Sequence, residues 1–402
     1  MILLPLLTWA CALLISTPLL YLTLELALGL KRSQKGGSPL QTPGMTVILI
    51  PAHNEEGGIG STVSALRAHV SSPVAILVVA DNCSDRTAEL AREAGAEVVQ
   101  RQDPDRRGKG YALAFGRDHL EADPPAVVIV LDADCALAPG SAERLMSRVL
   151  ETGEPAQAIN LVVAGRDASP IVQVSNFAMV VKNLVRARGL QRLGGGVFLF
   201  GTGMAFPWQT FAEADLATSD VVEDMQLGLA LARNGVRVHL EEGARVTSAA
   251  AALADSAGQR RRWEHGFLET ACKDALPLIS LGLAQRSKHL LSLGAHLLVP
   301  PLALLFLVAF FLLVTLSVCA VVAGIMGPAI LLGCSIASAL IFVLLAWITS
   351  GRDALSPRAL LSAPVYVLWK FPIYVGFFTS RQVGWNRTRR NSENAVASDT
   401  KS

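Results

Sequence analysis

Five short stretches of this chain hold residue types that could do chemistry together. Asp81 closes the apolar run VAILVVAD (74–81), and Asp132 and Asp134 close AVVIVLDAD (126–134). Two carboxylates at i and i+2 of an extended chain project the same way, so both can face one cation. Oxygen ligands favour Mg2+ or Mn2+, and a carboxylate pair that leaves the rest of the shell to water and phosphate suits a metal–diphosphate site. Lys109 sits in the Gly-flanked turn RRGKGYALAFG ahead of a helical pattern, where it could meet a phosphate. Glu223 and Asp224 open VEDMQLGLALARNG, the first turn of an expected helix, whose dipole stabilises a carboxylate. In GQRRRWEHGFLET, Gln259, Arg262 and Trp263 fall at i, i+3 and i+4 and so share one helix face. Each signal alone has a plainer reading: a capping Asp, an acidic first turn, a solvated lysine, a basic run beside a membrane.

The elements that must position these groups follow from hydrophobic pattern. Between Met45 and Ala250, MTVILIP (45–51), VAILVVAD (74–81), AEVVQ (96–100) and AVVIVLDAD (126–134) read as strands, apolar throughout as in a parallel sheet. Residues 58–70, 84–94 and 108–121 carry helical periodicity. Alternating strands and helices predict a doubly wound, mostly parallel α/β domain with ligands at the carboxyl ends of its strands. Further on come a helix at 139–151, an apolar stretch at 156–163, two short strand-like runs around GGGVFLFGTGMAFP (194–207), a helix from Glu223, and VRVHLEE (236–242).

The flanks have another character. Residues 2–30 hold one charge, Glu25, and no Asp, Glu, Lys or Arg lies between Lys288 and Arg352. About 20 apolar residues cross a bilayer, so the first stretch predicts one crossing and the second predicts two, with a turn at Gly327-Pro328. A cleaved signal peptide fits the first stretch poorly: no basic residue precedes it, the apolar run is long, and Lys31, Arg32 and Lys35 follow it. The segment 359–380, interrupted by Pro364, Lys370 and Pro372, reads as interfacial or as a fourth crossing; a fourth crossing would put Arg387, Arg389 and Arg390 outside, against the positive-inside tendency. The domain reading is an anchor (1–30), a linker (31–44), an α/β domain (45–255), an interfacial helical segment with the Q-R-R-R-W run (256–288), two crossings (289–350), the 359–380 segment, and a basic then polar tail (381–402). Six scattered cysteines without C-x-x-C argue against zinc or a disulfide framework. The missing G-x-G-x-x-G and Walker loop lower the dehydrogenase and P-loop readings.

Taken in chain order, PAHNE (51–55), Asp81, Lys109, D-A-D, FGTGMAFP (200–207), Glu223-Asp224 and Q-R-R-R-W, followed by a membrane bundle, resemble the membrane-bound family 2 glycosyltransferases. Those enzymes carry D, D-x-D, (T/E)-D and Q-x-x-R-W motifs on a GT-A fold. The likeness is greatest to bacterial exopolysaccharide-type enzymes, with ceramide glucosyltransferase and cellulose or hyaluronan synthases more distant. The resemblance implies that Asn54, Glu55 and Asp81 hold the nucleoside of a UDP-sugar, that Asp132 lies against nucleotide and metal, and that Asp134 ligates Mg2+ or Mn2+. It implies that Lys109 and Arg262 meet the diphosphate and that Asp224 is the base for the acceptor hydroxyl. Gly201, Thr202 and Gly203 would line the acceptor entrance, with Gln259 and Trp263 also on the acceptor side. This chain has V-E-D where many relatives have T-E-D, so a threonine contact is missing.

The implied partners are a UDP-sugar, a lipid-linked or saccharide acceptor, membrane lipid and other polysaccharide-biosynthesis subunits, with no nucleic acid. The implied location is the inner membrane with a cytoplasmic catalytic domain. A processive synthase is the alternative within the family. A nucleotidyltransferase and a non-catalytic transport or scaffold protein are the readings from other classes.

Overall fold

The structure, a computed structural model, describes residues 3–32, 45–70, 74–164, 168–218, 222–249 and 253–379. Most of the expected linker and the whole 381–402 tail, with Lys35, Arg387, Arg389 and Arg390, lie outside these residues. The chain divides into two compact units: residues 33–163, 196–263 and 383–402 form one, and residues 1–32, 164–195 and 264–382 form the other.

The first unit is built on a sheet. Its strands are β1 (Thr46–Ala52), β2 (Val74–Asp81), β3 (Glu97–Arg101), β4 (Val127–Val130), β5 (Cys135–Leu137), β6 (Ala156–Val163), β7 (Met204–Pro207) and β8 (His239–Ala249), in the order β3-β2-β1-β4-β7-β6-β8-β5. Pairs β1/β2, β1/β4, β2/β3 and β6/β8 are parallel, while β4/β7, β6/β7 and β5/β8 are antiparallel, so the sheet is mixed. Val127, Val128, Ile129, Val130 and Leu131 have no solvent exposure. Burying such a side chain contributes about 1.5–3 kcal/mol, which is why an unbroken β-branched run settles in the middle of the sheet. Register does the positioning. Leu49 pairs with Val130 and Ala52 with Ala80, so the chain leaves β1, β2 and β4 along one edge, carrying Asn54, Asp81 and Asp132 there. Strand β7 runs the other way with Met204 opposite Val130, which brings the preceding Gly201–Gly203 turn to the same edge.

With α1 (Leu3–Gly29) assigned to the second unit, the helices of the sheet unit are α2 (Ile59–His69), α3 (Thr87–Glu93), α4 (Lys109–Leu120), α5 (Ser141–Thr152), α8 (Trp208–Ala212) and α9 (Glu223–Arg233). Two expectations need correction. The fourth strand stops at Val130, and D-A-D lies in a turn closed by a Cys135 N–H to Asp132 carbonyl bond of 3.0 Å rather than on extended chain. Only one strand, β7, forms within 194–207, because Gly194, Gly196, Gly201 and Gly203 all take positive φ and break the extended chain.

The second unit is helical. It holds α1, α6 (Pro170–Val180), a wide π turn (Val181–Arg186), α7 (Ala187–Arg192), α11 (Lys288–Leu297), α12 (Leu302–Ala323), α13 (Gly327–Ala346) with a second π turn (Trp347–Gly351), α14 (Pro357–Leu360), α15 (Ala363–Trp369) and α16 (Phe371–Thr379). Helix α10 (Leu253–Ala284) belongs to the sheet unit through Trp263 and to the helical unit from Glu264. The α6–α7 segment was expected inside a continuous 45–255 domain; its apolar side chains Val172, Phe177, Val180, Val181 and Leu190 are buried in the helical unit instead. Ser169 accepts the Val172 N–H and Pro170 occupies the first helical turn, the usual start of a helix.

Three helices among the described residues are long and apolar enough to cross a membrane: Leu3–Gly29, Leu302–Ala323 and Gly327–Gly351. Helix α12 ends at Ala323 with Gly324 in the left-handed region, and Pro328 lies in the first turn of α13. Glu25, the lone charge of the first span, is buried with Arg186 Nε and His296 Nδ1, each 2.6 Å from its carboxylate. Such pairing is what lets an ionisable group reside among apolar helices. The 359–380 segment breaks into α14, α15 and α16 of 4, 7 and 9 residues, each far short of a crossing.

Candidate active site

Five elements bring polar groups to the carboxyl edge of the sheet. Lys109, the first residue of α4, donates to the Asp132 carboxylate and to the carbonyl of Gly201, 2.5 Å away. The D-A-D turn is fixed from both sides. The Asp132 N–H donates to Thr202 Oγ1 at 3.0 Å, and Thr62 Oγ1 of α2 donates to the Ala133 carbonyl at 2.8 Å. Gly201 has φ +82°, and a Cβ added there would lie 3.2 Å from Asp224 Oδ2, so Asp224 packs directly on this turn. Gly203 has φ +64°, and its Cβ would fall 2.6 Å from Val246 and 2.9 Å from Ala158. The Gly-Thr-Gly turn is thus required by backbone conformation and close packing. A small cavity beside it is lined by Gly110, Leu113, Leu216, Thr218, Glu223 and Asp224, among others.

Electrostatics tie these residues together. Burial pulls the Lys109 ammonium down, but Asp132, Glu223 and Asp224 face it, and the net shift is upward. Lys109 therefore stays a cation. Glu223 is pushed up to about 7, first by burial and then by the adjacent Asp224 charge, with Lys109 opposing. Arg262, half-buried on α10, is lowered by burial and held up by Glu223. The structure so brings Lys109, Asp132, Gly201, Thr202, Glu223, Asp224 and Arg262 into one electrostatic group. Trp263 is 40% exposed and Arg261 is exposed, while the side chain of Gln259 lies outside the described residues.

Oxygen atoms of Asp132 and Asp134 and the sulfur of Cys135 lie within 4.8 Å of one another. Burial, then Asp132 and Asp134, push the Cys135 thiol well up, so at neutral pH the sulfur keeps its proton. The donors that remain are two carboxylates, a hard oxygen set that fits Mg2+ or Mn2+.

Asn54, Glu55 and Asp81 lie along the same edge with other work to do. The Asn54 Oδ1 accepts the Ser84 N–H at 2.8 Å, and the Glu55 N–H donates to Thr87 Oγ1 at 2.7 Å, joining the turns after β1 and β2. Asp81 is buried against Arg101, whose Nη1 donates to Oδ1 at 2.7 Å. Arg101 also reaches Asp103 at 2.9 Å and stacks 5.5 Å above Tyr111. The sequence reading missed Arg101, although its place at the end of a strand beside Asp81 in register was a usable signal. It also missed Gln157, fully buried on β6, whose amide donates to the Thr202 carbonyl at 2.8 Å and accepts the Phe200 N–H at 2.9 Å. No motif marks that residue.

Comparison with known proteins bears on this geometry. A 90-residue segment is 36% identical to the low-salt glycan biosynthesis hexosyltransferase Agl6 of Haloferax volcanii, covering 22% of this chain and 20% of the relative. Another of 87 residues is 34% identical to the dolichyl-phosphate hexose transferase of the same organism, covering 22% and 35%. The chain thus spans about a fifth to a third of the length of these relatives. The mannosyltransferase PcManGT from Pyrobaculum calidifontis, solved with GDP-Man and Mn2+, superposes with a TM-score of 0.56 at 15% identity, over 90% of this chain and 99% of that one. This likeness shows the GT-A fold. The family described as Glycosyltransferase like family 2 matches residues 43–266, more than half of the chain, and this protein belongs to that family.

Proposed function

We propose that this chain is an inverting hexosyltransferase that moves a sugar from a UDP-sugar to a membrane-associated lipid-linked or saccharide acceptor, in exopolysaccharide or glycolipid biosynthesis. The observation that carries the reading is the Lys109 ammonium shared by Asp132 and the Gly201 turn, against which Asp224 packs. It sets a fixed cation for a diphosphate beside the Asp224 carboxylate. A relative named for dolichyl-phosphate hexose transfer supports a lipid-linked acceptor.

In this reading Asp224 takes the proton of the acceptor hydroxyl as its oxygen attacks the anomeric carbon. The bond from that carbon to the diphosphate oxygen breaks on the opposite face, which inverts the centre. Lys109 and Arg262 stand where negative charge grows on the departing diphosphate, and preorganised cations there lower the barrier. A divalent ion held by Asp132 and Asp134 would supply further charge neutralisation at the diphosphate. Trp263 offers the acceptor a flat apolar face. Arg260 and Arg261 serve lipid headgroups or docking. The basic residues Lys31 and Arg32 after α1 support a cytoplasmic catalytic domain at an inner membrane, and the shortness of the 359–380 helices supports an interfacial rather than a spanning segment.

The test uses the full chain in bilayer discs with Mn2+, a panel of UDP-sugars plus GDP-Man, and polyprenyl phosphate or oligosaccharide acceptors. Release of nucleoside diphosphate matched by glycosylated acceptor of inverted configuration is expected. No product with any donor, or product of retained configuration, contradicts the reading.

A further inference from the structure

The residue that follows Trp263 on α10 is held in an unusual way. The Glu264 carboxylate receives the ammonium of Lys370, which sits at the break between α15 and α16, and these side chains are only 12% and 9% exposed. His265, next on α10, is buried, with Nε2 2.8 Å from the Ile373 carbonyl oxygen and its ring 5.5 Å from Phe377, edge to face. Lys370 Nζ also lies 4.9 Å over the Tyr366 ring. Two consecutive residues of α10 are therefore gripped by one short segment, 366–377.

The break at Lys370 has a local cause. Pro372 has no N–H to continue the ladder from α15, so the chain restarts as α16 with Pro372 in its first turn. On the other side of this segment Leu361, Val365, Leu368, Phe371 and Val375 are all exposed at helical spacing, an apolar stripe in line with the bilayer-surface placement proposed above.

A buried ion pair is a weak source of net stability, because desolvating two charges takes back most of the attraction. What it adds over an apolar contact is register: the carboxylate meets the ammonium at one rotation of α10 about its axis. Each residue turns a helix by about 100°, so the rotation that seats Glu264 also fixes the directions of Trp263 and Arg262, one and two positions earlier.

We infer that Glu264 and Lys370 are positioning residues, whose ion pair locks the rotation of α10 and thereby aims Arg262 and Trp263. The inference rests on the role given above to the Q-R-R-R-W run. It assigns α15–α16 a task beyond lying on the membrane, namely to brace the helix that carries that run.

The experiment compares the full chain in bilayer discs with Lys370→Met and with the apolar pair Glu264→Met/Lys370→Met. The pair removes both charges, so it keeps the fold even where the single variant does not. Backbone hydrogen exchange of residues 258–266 is read beside that of the sheet strands, together with acceptor KM and UDP affinity. Exchange at 258–266 is expected to rise about tenfold in both variants, as a local opening, with the strands unchanged. Acceptor KM is expected to rise and transfer to fall by about 10–100-fold, since small misplacements are that damaging, with a smaller loss of UDP affinity as Arg262 loses its aim at the diphosphate. Wild-type exchange at 258–266 in the apolar pair overturns the inference, as does a uniform rise across the strands. The exchange measurement needs no turnover, so an inactive wild-type protein would sink the proposed function without touching this result.

Discussion

Lys109 joins two turns that are far apart in sequence: its ammonium meets the Asp132 carboxylate and, at 2.5 Å, the carbonyl oxygen of Gly201. A cation so placed neutralises the carboxylate edge and is the proposed contact for a diphosphate. Lys109→Met should weaken UDP binding by about 10–100-fold, the range expected for a charge-assisted hydrogen bond. Titration calorimetry checks this, with circular dichroism showing that the sheet is retained.

Glu223 gives the site a pH dependence. Its carboxyl titrates at about 7 instead of 4.5, driven by burial and then by Asp224. A raised carboxyl favours the folded state when protonated, so its contribution to stability is complete below about 4.5 and is lost as pH rises through about 7. Activity is expected to run the other way, because proton loss from Glu223 adds negative charge beside Asp224, the proposed base, and strengthens it. A fall in kcat/KM below about pH 7 is expected, with an apparent value belonging to the pair. Glu223→Gln should move that limb to lower pH and raise Tm at pH 8, and a pH–rate series with thermal melts reads both.

The two carboxylates of D-A-D should create a dependence on divalent ions. Chelation should abolish transfer, and added Mn2+ or Mg2+ should restore it. Asp134→Ala should lower Mn2+ affinity beyond the roughly 10–100-fold that follows loss of an outer partner. Cys135→Ala should leave it unchanged, because that thiol holds its proton. Mn2+ titration followed by electron paramagnetic resonance separates the variants.

The sequence shows the carboxyl edge better than it shows what surrounds it. Apolar runs such as VVIVL can only be buried strands, and strand ends in a parallel arrangement converge, so Asp81, Asp132 and Lys109 were legible. Three things were hidden for physical reasons. The turn through D-A-D depends on bonds from Thr62 and Thr202, which lie on other elements. The antiparallel seat of β7 comes from its pairing with β4 and β6, a tertiary choice that four residues do not announce. Residues 170–192 are apolar enough for either unit, and only packing assigns them to the helical one. Arg101 and Gln157 are single polar residues with no motif, and only register and burial reveal them.

Arg262 and Trp263 are neighbours with different expected roles. Arg262→Ala should slow transfer by removing charge from the departing diphosphate, with a loss on the order of 10²–10³ as for one oxyanion donor. Trp263→Ala should leave UDP affinity intact and raise acceptor KM, as expected of an exposed aromatic face proposed to stack on the acceptor. An acceptor-concentration series run beside UDP calorimetry distinguishes the two.

The central claim is that Asp224 is the base, and Asp224→Asn measures it most directly. The asparagine keeps the shape against Gly201 but cannot take a proton. Transfer should fall by about 10²–10⁴, the usual worth of general base catalysis, while UDP-sugar affinity stays within about twofold of wild type. Single-turnover transfer at saturating donor, with calorimetry on the same sample, gives both numbers. Near-normal transfer by Asp224→Asn, or a loss explained wholly by lost donor binding, would contradict the account.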